Sequence, residues 1–174
     1  MAAVPMIATD PYHEAHVASG DPRGPYKALL AALAGSDLAA LEADVAASLA
    51  RDGVTFGPDR SRFRVDPVPR LLTVQEWATL CAGLCQRVKA LDHFVCDVYG
   101  RRRVIREGVV PAAAVSSASY FEPLLERVVH EDRRWITIAG LDVVRCPDGA
   151  FRVLEDNVRT PSGIGYALAA REAV

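Results

Sequence analysis

The chain has 174 residues, 51% of them hydrophobic and 24% charged, with a formal net charge of -2. That size suits one domain or slightly more, and the near-neutral charge argues against a partner held by bulk electrostatics, whether nucleic acid or an anionic membrane. No apolar run is long enough to span a bilayer, and the N-terminal MAAVPMIATDPYHEAH has no basic region followed by an apolar core, so it does not read as a secretion signal and a cytoplasmic location is the default expectation.

Residues 1–24, rich in Pro, Gly, Asp and His, read as an extended lead-in. Pro25 is placed to open a helix, YKALLAALAG, that Gly35 ends. Ser36 is the expected cap of the next helix, DLAALEADVAASLARDG, which stops at Gly53. Its Leu38, Leu41, Val45 and Leu49 share one helical face, as in a packing element. Residues 54–72 alternate apolar and polar and contain Pro67 and Pro69, which predicts a short strand or two and then a stiffened connector.

Thr73-Val74-Gln75-Glu76 is a capping box, the hydroxyl accepting from an early N–H while the carboxylate reaches back. In the long helix that follows, Trp77, Leu80, Leu84, Val88, Leu91, Val95 and Val98 define a buried stripe. Gln86, Arg87 and Lys89 fall off it and are expected in solvent, and Gly100 ends the helix. Arg101-Arg102-Arg103 then complements the helix dipole, the plainer reading of a basic run whose alternative is phosphate binding. VIREGVVPAAAV reads as a strand or turn leading into a short helix opened by Pro111. SYFEPLLERVVHEDRR reads as a broken helical stretch. Helices before strands predict an α+β fold, with N-terminal helices followed by an antiparallel sheet containing a β-hairpin. The helical part spans about residues 25–130 and the hairpin about 135–163.

Cys81, Cys85, Cys96 and Cys146 form no C-x-x-C pair. Cys81 and Cys85 lie one helical turn apart with no second ligand pair, and small buried hydrophobe is the commoner role. His13 and His16 lie in a turn-rich segment where solvent exposure is the plain reading.

WITIAGLDVVR and FRVLEDN flank Pro147-Asp148-Gly149, a turn in which Pro presets φ and Gly accepts a positive φ. Glu155 and Asn157, two apart, project from one face of the second strand. A two-residue loop sets Asp142 directly opposite Glu155, and a four-residue loop keeps it on the same face. A three-residue loop pairs Asp142 with Leu154 and puts it on the other face. Turn parity therefore decides whether the three polar side chains converge. Two carboxylates and an amide oxygen in register suit a hard cation such as Mg²⁺, and Arg159 just beyond them could neutralise a phosphate. The plain alternative is a solvated hairpin end, since E-x-N is short enough to arise by chance.

The run VLEDNVRTPSG, with the Asp-Gly turn and Asp142 before it, resembles the metal-binding hairpin of the ATP-grasp superfamily. GVTF, DPVPRLL, EW, GLCQRVKALDHFVCDVYG, GVVP, IAGLDVVR, PDG and VLEDNVRTPSGIGYAL follow in order the N-terminal part of the circularly permuted type 2 ATP-grasp proteins, related to glutathionylspermidine synthases. The resemblance covers roughly residues 20–174. It implies a partial ATP-grasp fold in which Asp142, Glu155 and Asn157 hold Mg²⁺ bridging ATP phosphates. Arg159 would act as the catalytic arginine near the transferred phosphate, and Ser162 and Gly163 would form a loop at the nucleotide and substrate site. The implied reaction is ATP-dependent carboxylate–amine ligation through an acyl phosphate, with a small-molecule carboxylate and amine as partners.

The chain stops at Val174, in the helix expected after PSG, and its only lysines, Lys27 and Lys89, lie in upstream helices. The expectation is thus an N-terminal portion with the metal half of the site but without the strands and lysines that grip adenine. Alone it would bind ATP weakly or not at all. The alternative is an inactive fragment or a partner-binding domain. Open sheet edges point to a homodimer or to a complementing C-terminal half.

Overall fold

The computed structural model describes residues 11–127 and 133–174. The first ten residues of the predicted lead-in, and residues 128–132 of the predicted broken helix, lie outside the described residues. The architecture is α+β, mixed helix with two small antiparallel sheets. Helices α1 (Lys27–Leu33), α2 (Leu38–Arg51), α3 (Val74–Tyr99), α4 (Arg103–Arg106), α5 (Ala112–Ser116) and α6 (Ile164–Ala173) accompany strands β1 (Thr55–Phe56), β2 (Ser61–Arg62), β3 (Gly140–Arg145) and β4 (Phe151–Asn157). Among the described residues no helix is long and apolar enough to cross a membrane.

The contacts divide the chain into two compact units, one of residues up to Trp77 with 144–152 and 162–174, the other of residues 78–143 and 153–161. In the first unit α6 packs on α2, and Tyr26, Val45, Ala46 and Leu49 are buried. Leu49, 1% exposed, contributes about 1.5–3 kcal/mol by leaving water. Leu38 and Leu41 continue the same stripe but stay exposed. Asp37, not Ser36, caps α2: its Oδ1 accepts from the Ala39 and Ala40 N–H groups at 3.0 and 3.1 Å. A carboxylate at the positive end of the helix dipole gains more than a hydroxyl there. Phe63 and Tyr166 meet at a tilt with ring centres 4.6 Å apart, and the Tyr166 hydroxyl donates to the Thr55 carbonyl at 2.8 Å.

The α3 capping box forms as its sequence dictates. Thr73 Oγ1 accepts from the Glu76 N–H at 3.1 Å, and Glu76 Oε2 accepts from the Thr73 N–H at 2.8 Å. In the second unit Val98 of the α3 stripe is buried. Beyond Gly100 the chain makes α4 rather than the strand or turn expected there. Asp97 Oδ2 accepts the Val104 N–H at 2.9 Å, and Arg102, at φ 54°, reverses the chain. These two features start a new helical turn at once. The strand expected from Trp135 begins only at Gly140. Asp92 Oδ1 on α3 takes the Trp135 and Ile136 N–H groups, both at 2.8 Å, so neither is free for a sheet ladder. The Trp135 ring stacks near Tyr99, which stacks on Phe121.

Candidate metal-site hairpin

The hairpin turn is a three-residue loop. Cys146 N–H donates to the Ala150 carbonyl at 2.9 Å, and Gly149 N–H donates to the Cys146 carbonyl at 2.8 Å. Gly149 holds φ 82°, a value that suits glycine and lets a tight turn rejoin a right-twisted ladder. Asp148 Oδ1 accepts the Ala150 N–H at 2.9 Å. Next to the loop the guanidinium of Arg145 lies 4.1 Å from the centre of the Phe151 ring, so these two residues face each other.

Counting from that turn, simple alternation pairs Asp142 with Leu154 and Gly140 with Asp156. The far end of the hairpin is different. A β-carbon on Gly140 would lie 3.1 Å from Pro161 Cβ and 3.8 Å from Asn157 Cβ, so Asn157 comes beside Gly140. β4 has seven residues against six in β3, and its in-and-out exposure breaks at Leu154 and Glu155, which are both exposed. The Asp156 carboxylate meets Arg87 of α3 at 2.6 Å.

Asp142 and Glu155 are exposed and Asn157 is half-buried beside Gly140. Two carboxylates and an amide oxygen form an all-oxygen donor set, the kind a hard cation takes. Among the described residues no three His, Cys, Asp or Glu side chains converge as a metal cluster. That holds for the cysteines, which form no disulfide among the described residues, and for His13 and His16, which meet edge to face. Arg159, exposed, holds its guanidinium 3.8 Å from the centre of the Tyr120 ring, a cation–π contact that steadies a flexible side chain. Ser162 and Gly163 are exposed in the first unit, where Gly163, at φ 96°, is the N-cap of α6.

Three side chains around this hairpin carried no local signal in the sequence. Arg87 reads as a solvated helix residue, yet it forks onto Asp156, 69 positions away. Tyr120 reads as part of a broken helix, yet it lies under Arg159. Arg145 reads as a strand residue. Its side chain is 5% exposed, with Nη1 2.6 Å from Glu76 Oε1. Its Nε lies 3.1 Å from Glu14 Oε2, close enough for an ion pair but without hydrogen-bond alignment. The Thr73 N–H, then Arg145, hold the Glu76 carboxyl down at about 2.

A profile of the family described as circularly permuted ATP-grasp type 2 matches residues 69–174. An uncharacterised protein of Mycobacterium leprae is 40% identical over 162 residues, which are 89% of this chain and 28% of that protein. An uncharacterised protein of Synechocystis is 41% identical over 129 residues, 70% of this chain and 27% of its own length. A Frankia casuarinae protein named putative glutamate–cysteine ligase 2-2 is 45% identical over 126 residues, 68% of this chain and 14% of that protein. The chain thus spans less than a third of the length of these relatives. With most of its length inside the profile, the chain belongs to the circularly permuted type 2 ATP-grasp family.

Proposed function

We propose that this chain carries the metal-binding hairpin of an ATP-dependent carboxylate–amine ligase. What supports this reading is that Asp142 and Glu155 are both exposed on the two paired strands of one hairpin, in a chain of the circularly permuted type 2 ATP-grasp family. Asp142, Glu155 and Asn157 would hold Mg²⁺. Bound there, the ion would neutralise charge on the ATP phosphates during transfer.

The remaining roles belong to this chain's own groups. Arg159, braced on Tyr120, would neutralise the transferred phosphoryl group as a substrate carboxylate becomes an acyl phosphate. An amine then displaces phosphate to give the amide. Ser162 and Gly163 would offer substrate-facing loop groups at the N-terminus of α6, where free N–H groups favour an anion. The Frankia relative, named putative glutamate–cysteine ligase 2-2, carries the name of a ligase.

The test is Mn²⁺ binding to the 174-residue chain, read by the loss of the free-ion electron paramagnetic resonance signal. Glu155→Gln and Asp142→Asn should each weaken binding about tenfold or more, since each removes a charged ligand. Native affinity in both variants refutes the assignment. A second reading, a domain that only binds a partner, draws on the exposed Ile164 and Leu168 of α6, and that result would favour it.

A further inference from the structure

We infer that Arg87 and Asp156 form a positioning clamp that orients the Glu155 and Asn157 side chains, so that the metal edge of the hairpin is set by helix α3. This rests on the reading of the hairpin as a metal site. Asp156 lies between the two candidate ligands on β4. Arg87 Nε meets Asp156 Oδ1 at 2.6 Å, and Arg87 Nη2 meets Oδ2 at 2.6 Å. Two parallel charge-assisted bonds fix a plane as well as a distance. The Asp156 side chain is 18% exposed and that of Arg87 49%.

Neighbouring side chains on a strand point to opposite faces. Tying Asp156 to α3 therefore turns Glu155 and Asn157 away from α3. The tie acts beside Leu154 and Glu155, where the in-and-out exposure of β4 breaks. Arg87 occupies the middle of a 26-residue helix, flanked by the half-buried Leu84, Val88 and Leu91, so its backbone is a firm anchor. The clamp has a second consequence. A third carboxylate in the run Glu155-Asp156-Asn157 is neutralised and turned away, leaving the donor set at two carboxylates and an amide.

A surface ion pair of the ordinary kind contributes little to stability, so thermal stability alone does not separate the roles. Removing only Arg87 is also ambiguous, because it adds net negative charge near a cation site. The informative variant is the double substitution Arg87→Gln with Asp156→Asn, which removes the clamp at constant net charge. Mn²⁺ affinity is measured by electron paramagnetic resonance well below the melting temperature, beside Glu155→Gln. The double variant should bind about five- to tenfold more weakly. Arg87→Lys, which keeps the charge but not the fork, should fall between it and the native chain.

Native Mn²⁺ affinity in the double variant, with affinity lost in Glu155→Gln, overturns the clamp and leaves the metal site standing. Native affinity in Glu155→Gln removes the metal site and the clamp with it. Should the double variant fail to fold by circular dichroism, Arg87→Lys decides, since unchanged affinity there also overturns the clamp.

Discussion

Replacing Glu76 with Gln tests how the first turn of α3 is held. Glu76 closes the capping box with Thr73 and receives Arg145 Nη1 at 2.6 Å. Gln can still reach back to the Thr73 N–H, so the substitution chiefly removes the charge facing Arg145. The carboxyl stands at about 2 against an ordinary 4.5, through the Thr73 N–H first and Arg145 next. Converted at 1.36 kcal/mol per unit, that depression sets a ceiling of about 3 kcal/mol. The Glu76 side chain is 32% exposed, and water screening brings the contribution to about 1–2 kcal/mol. The buried Arg145 keeps Glu14 at 3.1 Å, so the larger cost of stranding a buried charge is avoided.

A protein of this size loses about 2–4 °C of melting temperature per kcal/mol, so Glu76→Gln should melt about 2–8 °C lower at pH 7. The pH dependence has a fixed sign. A carboxylate with a depressed folded pKa adds stability in full above its ordinary value and loses it as pH falls from about 4.5 toward 2. Urea denaturation of both proteins at pH 7, 4.5 and 3 should show the native advantage shrinking along that series. A variant within about 0.5 kcal/mol of native at pH 7, or a difference that holds constant down to pH 3, refutes the assignment.

At the hairpin tip, Gly149→Ala places a methyl group at φ 82° and 3.2 Å from Tyr12 Cε2. It should cost about 1–2 kcal/mol in chemical denaturation, and a neutral result would show that the tip relaxes freely. Asp97→Ala removes the acceptor of the Val104 N–H at the end of α3. That N–H bond, opposed by burial and aided by Arg103, holds the Asp97 carboxyl below its usual range. A loss of about 1 kcal/mol is expected, with faster amide exchange in α4. Unchanged exchange there would mean that Asp97 does not nucleate the turn.

Much of the fold was legible because it is locally encoded. The capping box at Thr73 and Glu76, the spacing that buries Val98, and the glycine-bearing turn before Ala150 depend on residues within a few positions of one another. Candidate site residues were nameable for a related reason, since Asp142, Glu155, Asn157 and Arg159 sit on and beside one hairpin. Register was not legible. The loop holds three residues, which on alternation alone pairs Asp142 with Leu154, whereas at the far end Asn157 comes beside Gly140. No sequence rule fixes such a register, because it depends on what the strand packs against.

The late start of β3 has the same origin, since Asp92 claims the Trp135 and Ile136 N–H groups from 43 and 44 positions away. By itself the sequence determined the main helices, the hairpin and which donor atoms that hairpin carries, through short-range sterics, capping and hydrophobic spacing. Only the tertiary structure decided how the hairpin is held. Ion pairs such as Arg87–Asp156 and Arg145–Glu76 tie it to α3, each joining residues 69 positions apart, where folding rather than sequence proximity brings the charges within reach.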